Sequence, residues 1–215
     1  MQRQMAALAN TDPLTGLANR RVLFARMAQE VAKAGSEHAP MAVIMLDLDG
    51  FKPVNDRYGH AAGDALLRQV AQRLALACGA DATVSRLGGD EFAVLVPVGH
   101  ALGASVLADR MLAALVPPYA VAGARLRVGA SVGIAEWPDD GSSGEELIAS
   151  ADRALYAAKA AFDAGDLATA KTQLEWVVAN SKEDELKSIA RLRLAAVLVD
   201  QKQYDAALAA LDGKH

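Results

Sequence analysis

The chain has 215 residues, 53% of them apolar and 22% charged, which excludes a disordered chain and allows one ordinary domain plus a smaller appendage. A net charge of −4 offers no basic surface to nucleic acid or an anionic membrane, and the longest apolar runs, such as Met41–Leu46 and Leu194–Val199, are too short to span a bilayer. Cys78 is the single cysteine and the opening Met1-Gln2-Arg3-Gln4 lacks a signal-peptide core, so a cytoplasmic protein without disulfides is expected.

In chain order, a short helix is expected near Arg3–Ala9, a turn at Thr11-Asp12-Pro13 and a longer helix near Arg20–Lys33. Met41–Leu48, rich in Val, Ile, Leu and Met, has the continuous apolar character of a buried strand. A helix with Pro53 in its first turn follows, then another near Ala61–Ala77. Cys78 closes that apolar pattern as a small buried hydrophobe. Thr83–Leu87 and Glu91–Val96 read as strands around Gly88-Gly89, a dipeptide suited to a two-residue hairpin turn. Next come a helix near Leu102–Leu115, a strand pair around Gly123, a strand through Ser131–Ala135 and a helix from Glu145 through Lys159. This alternation predicts an α/β fold, an α+β sandwich with a mostly antiparallel sheet.

Composition changes near residue 160. All 7 prolines, 15 of 17 glycines and 12 of 14 arginines precede Ala161, and an almost unbroken helical pattern follows. The expected organisation is therefore one domain over 1–160 and an all-α helical-repeat segment over 161–215. Leu155, Ala158, Leu167, Ala170 and Leu174 recur 37 residues later as Leu192, Ala195, Tyr204, Ala207 and Leu211. With Gly165-Asp166-Leu167 and Ala170, the segment resembles a tetratricopeptide repeat; a generic helical hairpin accounts for the pattern equally well. It also resembles the repeat portion of a membrane-anchored ancillary translocon protein. Leu155 and Ala158 belong to both patterns, so the last helix of the first domain is expected to serve as the first repeat helix.

The chemistry-bearing residues cluster at strand ends and turns. Asp47-Leu48-Asp49 ends the buried strand, where a period of two puts both carboxylates on one face. Alone they read as solvated charges at a strand end, and Gly88-Gly89-Asp90-Glu91 alone reads as an ordinary turn. Together they form a concave acidic site with bare backbone around it, suited to Mg²⁺. In Gly50-Phe51-Lys52-Pro53-Val54-Asn55-Asp56, a turn into a helix offers N–H groups and the Lys52 ammonium to a phosphate. Asn55 and Asp64 supply an amide and a carboxylate, and a carboxylate complements guanine's N1–H and N2–H₂ donors while repelling adenine N1. Singly, Asn55 also fits a turn and Asp64 an N-cap. His38 reads as solvated, His60 as a loop-fixing residue, and Trp137 and Trp176 as packing residues.

Seven motifs in order carry a resemblance: Asp12-Pro13-Leu14-Thr15-Gly16-Leu17-Ala18-Asn19-Arg20-Arg21; Asp47-Leu48-Asp49-Gly50-Phe51-Lys52; Asn55-Asp56; Gly59-His60 with Gly63-Asp64; Arg86-Leu87-Gly88-Gly89-Asp90-Glu91-Phe92; Ser131-Val132-Gly133-Ile134-Ala135; and Ala151-Asp152-Arg153-Ala154-Leu155-Tyr156-Ala157-Ala158-Lys159. In this order and spacing across about 150 residues the chain resembles the GGDEF diguanylate cyclases. The resemblance implies a nucleotidyl-cyclase-like palm, GTP as substrate, Mg²⁺ (or Mn²⁺) as cofactor and a homodimer that condenses two GTP into cyclic di-GMP plus pyrophosphate. It implies metal ligation by Asp47, Asp90 and the Leu48 carbonyl, and guanine recognition by Asn55 and Asp64. Lys52 and Lys159 would touch phosphates, Phe51, Gly88 and Gly89 would border the substrate, and Asp90, Glu91 and Lys52 would carry catalysis. A protein partner on the C-terminal helices is the further expectation.

Two departures stand out against that pattern. Gly79 and Ala82 occupy the positions of the family's Arg-x-x-Asp product-inhibition motif, which predicts no inhibitory cyclic di-GMP site of that kind. Phe162, Asp163 and Ala164 stand where the family continues Gly-Arg-Asn. Replacing a phosphate-binding arginine by an acid would cost on the order of 1–3 kcal/mol if Asp163 faces the site, so impaired activity is expected, as is a looser sheet edge without the closing strand.

Overall fold

The computed structural model describes residues 10–163, residues 191, 194 and 198, and residues 203–211. The chain separates into two compact units, Met1–Lys159 and Ala160–His215. The expected helix near Arg3–Ala9 and the repeat positions Leu167, Ala170, Leu174, Leu192 and Ala195 lie outside the described residues.

Up to residue 163 the elements run β1 (Ala18–Asn19), α1 (Arg20–Glu37), β2 (Met41–Asp49), α2 (Phe51–Tyr58), α3 (His60–Cys78), β3 (Thr83–Gly88), β4 (Glu91–Val96), α4 (Ala104–Leu115), β5 (Tyr119–Val121), β6 (Ala124–Leu126), β7 (Gly129–Trp137) and α5 (Gly144–Asp163). Five strands form one sheet in the order β1-β3-β4-β2-β7, and β5 and β6 form a separate ribbon. Only β1 and β3 run parallel; every other pairing is antiparallel, so the mostly antiparallel sheet with helices is borne out. Among the described residues β7 is an edge strand.

At its centre the sheet is buried on both faces, which is why β2 reads as an unbroken apolar run. Period-two alternation divides that run between two cores. Ala42, Ile44, Leu46 and Leu48 pack with α3 and α4, whereas Met41, Val43 and Met45 pack with Leu23, Met27 and Ala34 of α1 and with Leu147, Ala151 and Leu155 of α5. Helix α5 lies directly on β7 because Gly133 has no side chain: a Cβ there would sit 2.1 Å from the Ala151 carbonyl oxygen and 2.3 Å from the Leu155 nitrogen.

Several elements differ from expectation in their limits. Strand β1 escapes sequence reading because a two-residue strand has no periodicity to detect. Helix α1 runs to Glu37, starting from Asn19, whose side chain caps the Val22 N–H at 3.1 Å. In the β3–β4 hairpin, Gly88 is still paired with Glu91, so the two-residue turn is Gly89-Asp90 rather than Gly88-Gly89; a register shift between Arg86 and Gly88 moves the turn by one. Asp64 is not an N-cap, since α3 begins at His60 after Gly59. Cys78 is buried, and burial pushes its thiol up to about 12, which leaves it inert at neutral pH.

In the second unit, Leu194, Leu198 and Ala210 form a small buried cluster with Ala206 packed against it. Helix α6 (Tyr204–Leu211) contributes the two alanines, and the Gln203 N–H donates to the Leu198 carbonyl at 2.8 Å.

Candidate active site

Two periodic series run from apolar to charged side by side. On β2, Met41, Val43 and Met45 are followed on the same face by Asp47 and Asp49. On α5, Leu147, Ala151 and Leu155 are followed at the next i+4 step by Lys159. They meet where the apolar core ends, and Lys159 Nζ donates to Asp47 Oδ1. The Asp47 hydrogen bond raises the Lys159 ammonium above its ordinary value against burial, with the charges of Asp47, Asp90 and Asp49 acting in the same sense. Asp49 is 8% exposed and accepts a hydrogen bond from Ser131 Oγ at 3.0 Å across to β7.

The Gly89-Asp90 turn closes on the end of β2. The Leu48 N–H donates to the Asp90 carbonyl at 3.4 Å, one step beyond the Asp47–Glu91 pair. Because N–H and C=O of an extended residue point the same way, the Leu48 carbonyl also faces the turn. Gly89 has φ 51, a conformation glycine adopts without penalty, and the turn leaves both glycines exposed. Burial, and next the nearby Asp47 charge, push the Asp90 carboxyl above its ordinary value. Behind the turn, Arg86 donates through Nε and Nη2 to the Gly89 carbonyl at 3.0 and 2.7 Å. Its Nη1 reaches both oxygens of Asp12, at 3.1 and 3.2 Å. Asp12 also takes the Thr15 amide at 2.9 Å and the Thr15 hydroxyl at 2.6 Å. Burial works against the Asp12 charge, but these donors together hold its carboxyl below the usual value.

On the far side of β2, Gly50 turns the chain at φ 78 into α2. Phe51 is buried in the core, Lys52 is exposed and Asn55 is half-buried. Asp64 lies exposed in the second turn of α3. Among the described residues neither the Asn55 amide nor the Asp64 carboxylate makes a side-chain hydrogen bond within the protein.

The residues expected to hold a metal thus fall together at the junction of β2, the β3–β4 turn and α5, and Lys159 joins them. Lys52, Glu91 and Asp64 are exposed; Glu91 lies opposite Asp47 in the β2–β4 ladder, but no described side-chain hydrogen bond or ion pair ties any of the three to that junction. Three residues had no role assigned from sequence: Asp49, which shares the face of Asp47, and Asp12 and Arg86, whose charges lie in separate motifs. Among the described residues no three Asp, Glu, His or Cys side chains form a ready metal cage. The donor set of two carboxylates and a main-chain carbonyl nevertheless fits a hard divalent cation, because it is all oxygen and because burial, then the Asp47 charge, disfavours a bare Asp90 carboxylate.

A family model described as "Diguanylate cyclase, GGDEF domain" matches residues 9–163, which contain every residue of this junction. The chain belongs to the GGDEF diguanylate cyclase family. A second model, "Tetratricopeptide repeat-like domain", matches residues 146–215, so the two GGDEF and repeat matches overlap within α5. The bifunctional diguanylate cyclase/cyclic di-GMP phosphodiesterase MucR of Pseudomonas aeruginosa is 42% identical over 157 residues, 73% of this chain but 23% of that protein. The chain spans between 14% and 23% of the length of the first three curated relatives it matches. Among solved structures, a sensory box/GGDEF family protein from Caulobacter crescentus is 44% identical, with a TM-score of 0.67 over 71% of this chain and 99% of that one. The coiled coil and GGDEF domain of DgcB from the same organism, solved in complex with c-di-GMP, is 29% identical with a TM-score of 0.66, over 74% of this chain and 84% of that one. Among the described residues no helix is long and apolar enough to cross a membrane.

Proposed function

We propose that this GGDEF domain, over residues 1–160, is a diguanylate cyclase that condenses two GTP into one cyclic di-GMP and two pyrophosphates as a cytoplasmic homodimer. The observation that carries this reading is the closing of the Gly89-Asp90 turn onto the end of β2, where the Leu48 N–H donates to the Asp90 carbonyl at 3.4 Å and where burial, then the Asp47 charge, disfavours a bare Asp90 carboxylate and favours a cation between the two acids. Asp47, Asp90 and the Leu48 carbonyl would hold Mg²⁺ (or Mn²⁺). When bound, the ion would lower the pKa of the ribose 3′-hydroxyl and neutralise charge developing on the α-phosphate.

The chain's own residues do the rest. Asn55 and Asp64 orient guanine, Asp64 accepting from the N1–H and N2–H₂ donors. Phe51 backs that site from the core, and the exposed Gly88 and Gly89 let the nucleotide approach the main chain. Lys52 and Lys159 bind phosphates, and Lys159 exchanges its Asp47 partner for them as the nucleotide enters. Glu91, exposed beside the turn, lies at the reacting ribose. Each protomer binds one GTP, and facing the two half-sites aligns the 3′-hydroxyl of one nucleotide with the α-phosphate of the other. With Gly79 at the end of α3 and Ala82 buried, neither supplies a charge for a product-inhibition site of the Arg-x-x-Asp kind.

A second reading rests on Asp163, which ends α5 where the family pattern has arginine. It is a weak or inert GTP-binding domain that serves as a sensor, with the tetratricopeptide-like segment 161–215, sharing α5, as the partner-binding part. One assay separates the two: incubate the chain with GTP and Mg²⁺ at several protein concentrations and chromatograph the nucleotides. Cyclic di-GMP formed with more than first-order dependence on protein supports the dimeric cyclase, and Asp90→Ala should abolish it. Bound but unconverted GTP supports the sensor, and turnover retained in Asp90→Ala would overturn the metal assignment.

A further inference from the structure

Helix α3 passes the Asn55 side chain so closely that a Cβ on Gly63 would lie 1.9 Å from Asn55 Oδ1, 3.0 Å from Asn55 Cγ and 3.1 Å from Phe51 Cζ. Carbon and oxygen atoms that are not bonded do not approach to 1.9 Å, so an alanine here and the present Asn55 rotamer exclude one another. Gly63 is buried within α3, and its φ is not positive, so backbone freedom is not what this position requires. Empty space is.

The next residue along α3 is Asp64. We propose that Gly63 is a positioning residue for base selection: by carrying no side chain it lets α3 bring the Asp64 carboxylate up beside an Asn55 amide held in one orientation. The inference rests on the reading of Asn55 and Asp64 as the guanine-recognition pair and adds the residue that sets their geometry. Both groups lack side-chain partners within the described protein, as groups kept for a ligand would.

The nature of the obstacle makes the proposal separable from a loss of fold. The atom a Cβ would strike is the far end of a side chain, which can rotate away, and the Phe51 ring need yield by only a few tenths of an ångström. Alanine at Gly63 therefore displaces the amide and leaves α2 and α3 packed. At Gly133 the obstacle is helix backbone, which has no such escape.

The test uses the full chain with Mg²⁺ and two nucleotides that bind but lack the attacking hydroxyl, 3′-deoxyguanosine triphosphate and 3′-deoxyadenosine triphosphate, titrated calorimetrically. Gly63→Ala and Asn55→Ala should each weaken the guanine nucleotide about tenfold, the worth of one hydrogen bond, and leave the adenine nucleotide within about twofold. The double variant should bind no more weakly than either single one, because the same interaction is lost once. Wild-type guanine affinity in Gly63→Ala, equal losses for both bases, or multiplying losses in the double variant would each overturn the role of Gly63. If Gly63→Ala does not fold, the double variant decides. Cooperative melting with the selectivity of Asn55→Ala upholds the steric coupling, and failure to fold refutes it. No guanine preference in the unaltered chain, or none lost in Asn55→Ala, removes the parent reading instead.

Discussion

Lys159 donates to Asp47 across 112 residues of sequence, at the point where a period-two strand and an i+4 helix ladder both pass from apolar to charged. The ammonium stands where a metal-ion site would draw its first carboxylate. Lys159→Met should therefore strengthen Mg²⁺ binding to the nucleotide-free chain and weaken GTP binding, opposite signs that two calorimetric titrations would read. Weakened Mg²⁺ binding would contradict competition between ammonium and metal.

Metal binding should also appear as stability. A ligand at about 100 times its Kd adds about 2.7 kcal/mol to a one-site protein, which for a chain of this size is roughly 5–10 °C in Tm. Thermal melts across a Mg²⁺ series should rise for the unaltered chain and stay flat for Asp47→Ala.

Asp90 carries the reverse cost when no metal is present. Its folded value is raised by burial and by Asp47, so its contribution to stability is present below the unfolded value and is lost as pH rises through the folded one. At neutral pH in chelator, Asp90→Asn should thus melt above the unaltered chain while making no cyclic di-GMP. A lower melting temperature would show that the carboxylate is not strained by its neighbours.

Arg86 and Asp12 form the opposite case. The side chains are 12% and 16% exposed, and Arg86→Ala would strand Asp12 and free the Gly89 carbonyl, for a loss of about 2–3 kcal/mol in denaturant unfolding. Turnover should fall with it as the Gly89-Asp90 turn loosens. Arg86→Lys should recover only part of both, since an ammonium cannot form the fork.

The same pair predicts acid sensitivity. Asp12 is held below its ordinary value, so its stabilisation is complete above an unfolded value of about 3.9 and is lost as pH falls through the folded value. Melting temperatures of the unaltered chain and of Asp12→Asn, measured from pH 6 downward, should converge in acid. Parallel curves would mean that Asp12 keeps its proton equilibrium unchanged on folding.

Gly133→Ala should be severe. The Cβ would meet α5 backbone at 2.1 and 2.3 Å, so helix and sheet must separate, at about 3 kcal/mol. Lys159 would move with the helix. Urea unfolding compared with that of Gly63→Ala, expected to be mild, checks whether backbone obstacles and side-chain obstacles differ as argued.

Much of the fold could be read directly. The continuous apolar run of β2, the helix patterns and the antiparallel hairpin are local regularities, and they held because each element buries the face that its periodicity defines. The reading failed where no period exists, as in two-residue β1, and where a register shift moves the hairpin turn by one residue. Motif order leads one to expect Asp47 and Asp90 close together, and the turn does close on the end of β2. Periodicity puts Asp49 on the Asp47 face, but nothing local links Asp12 to Arg86, whose charges lie in motifs 74 residues apart.

By itself the sequence determined the family, the order of the elements and the face on which each acid lies, because these follow from motifs and from periodicity along a short stretch of chain. Only the tertiary structure decided which charges meet: Lys159 with Asp47, Arg86 with Asp12 and Gly89, and the empty place at Gly63 with Asn55. Periodicity says which way a side chain points. What it touches depends on which element packs opposite and at what height, and that is settled by the burial of the whole core.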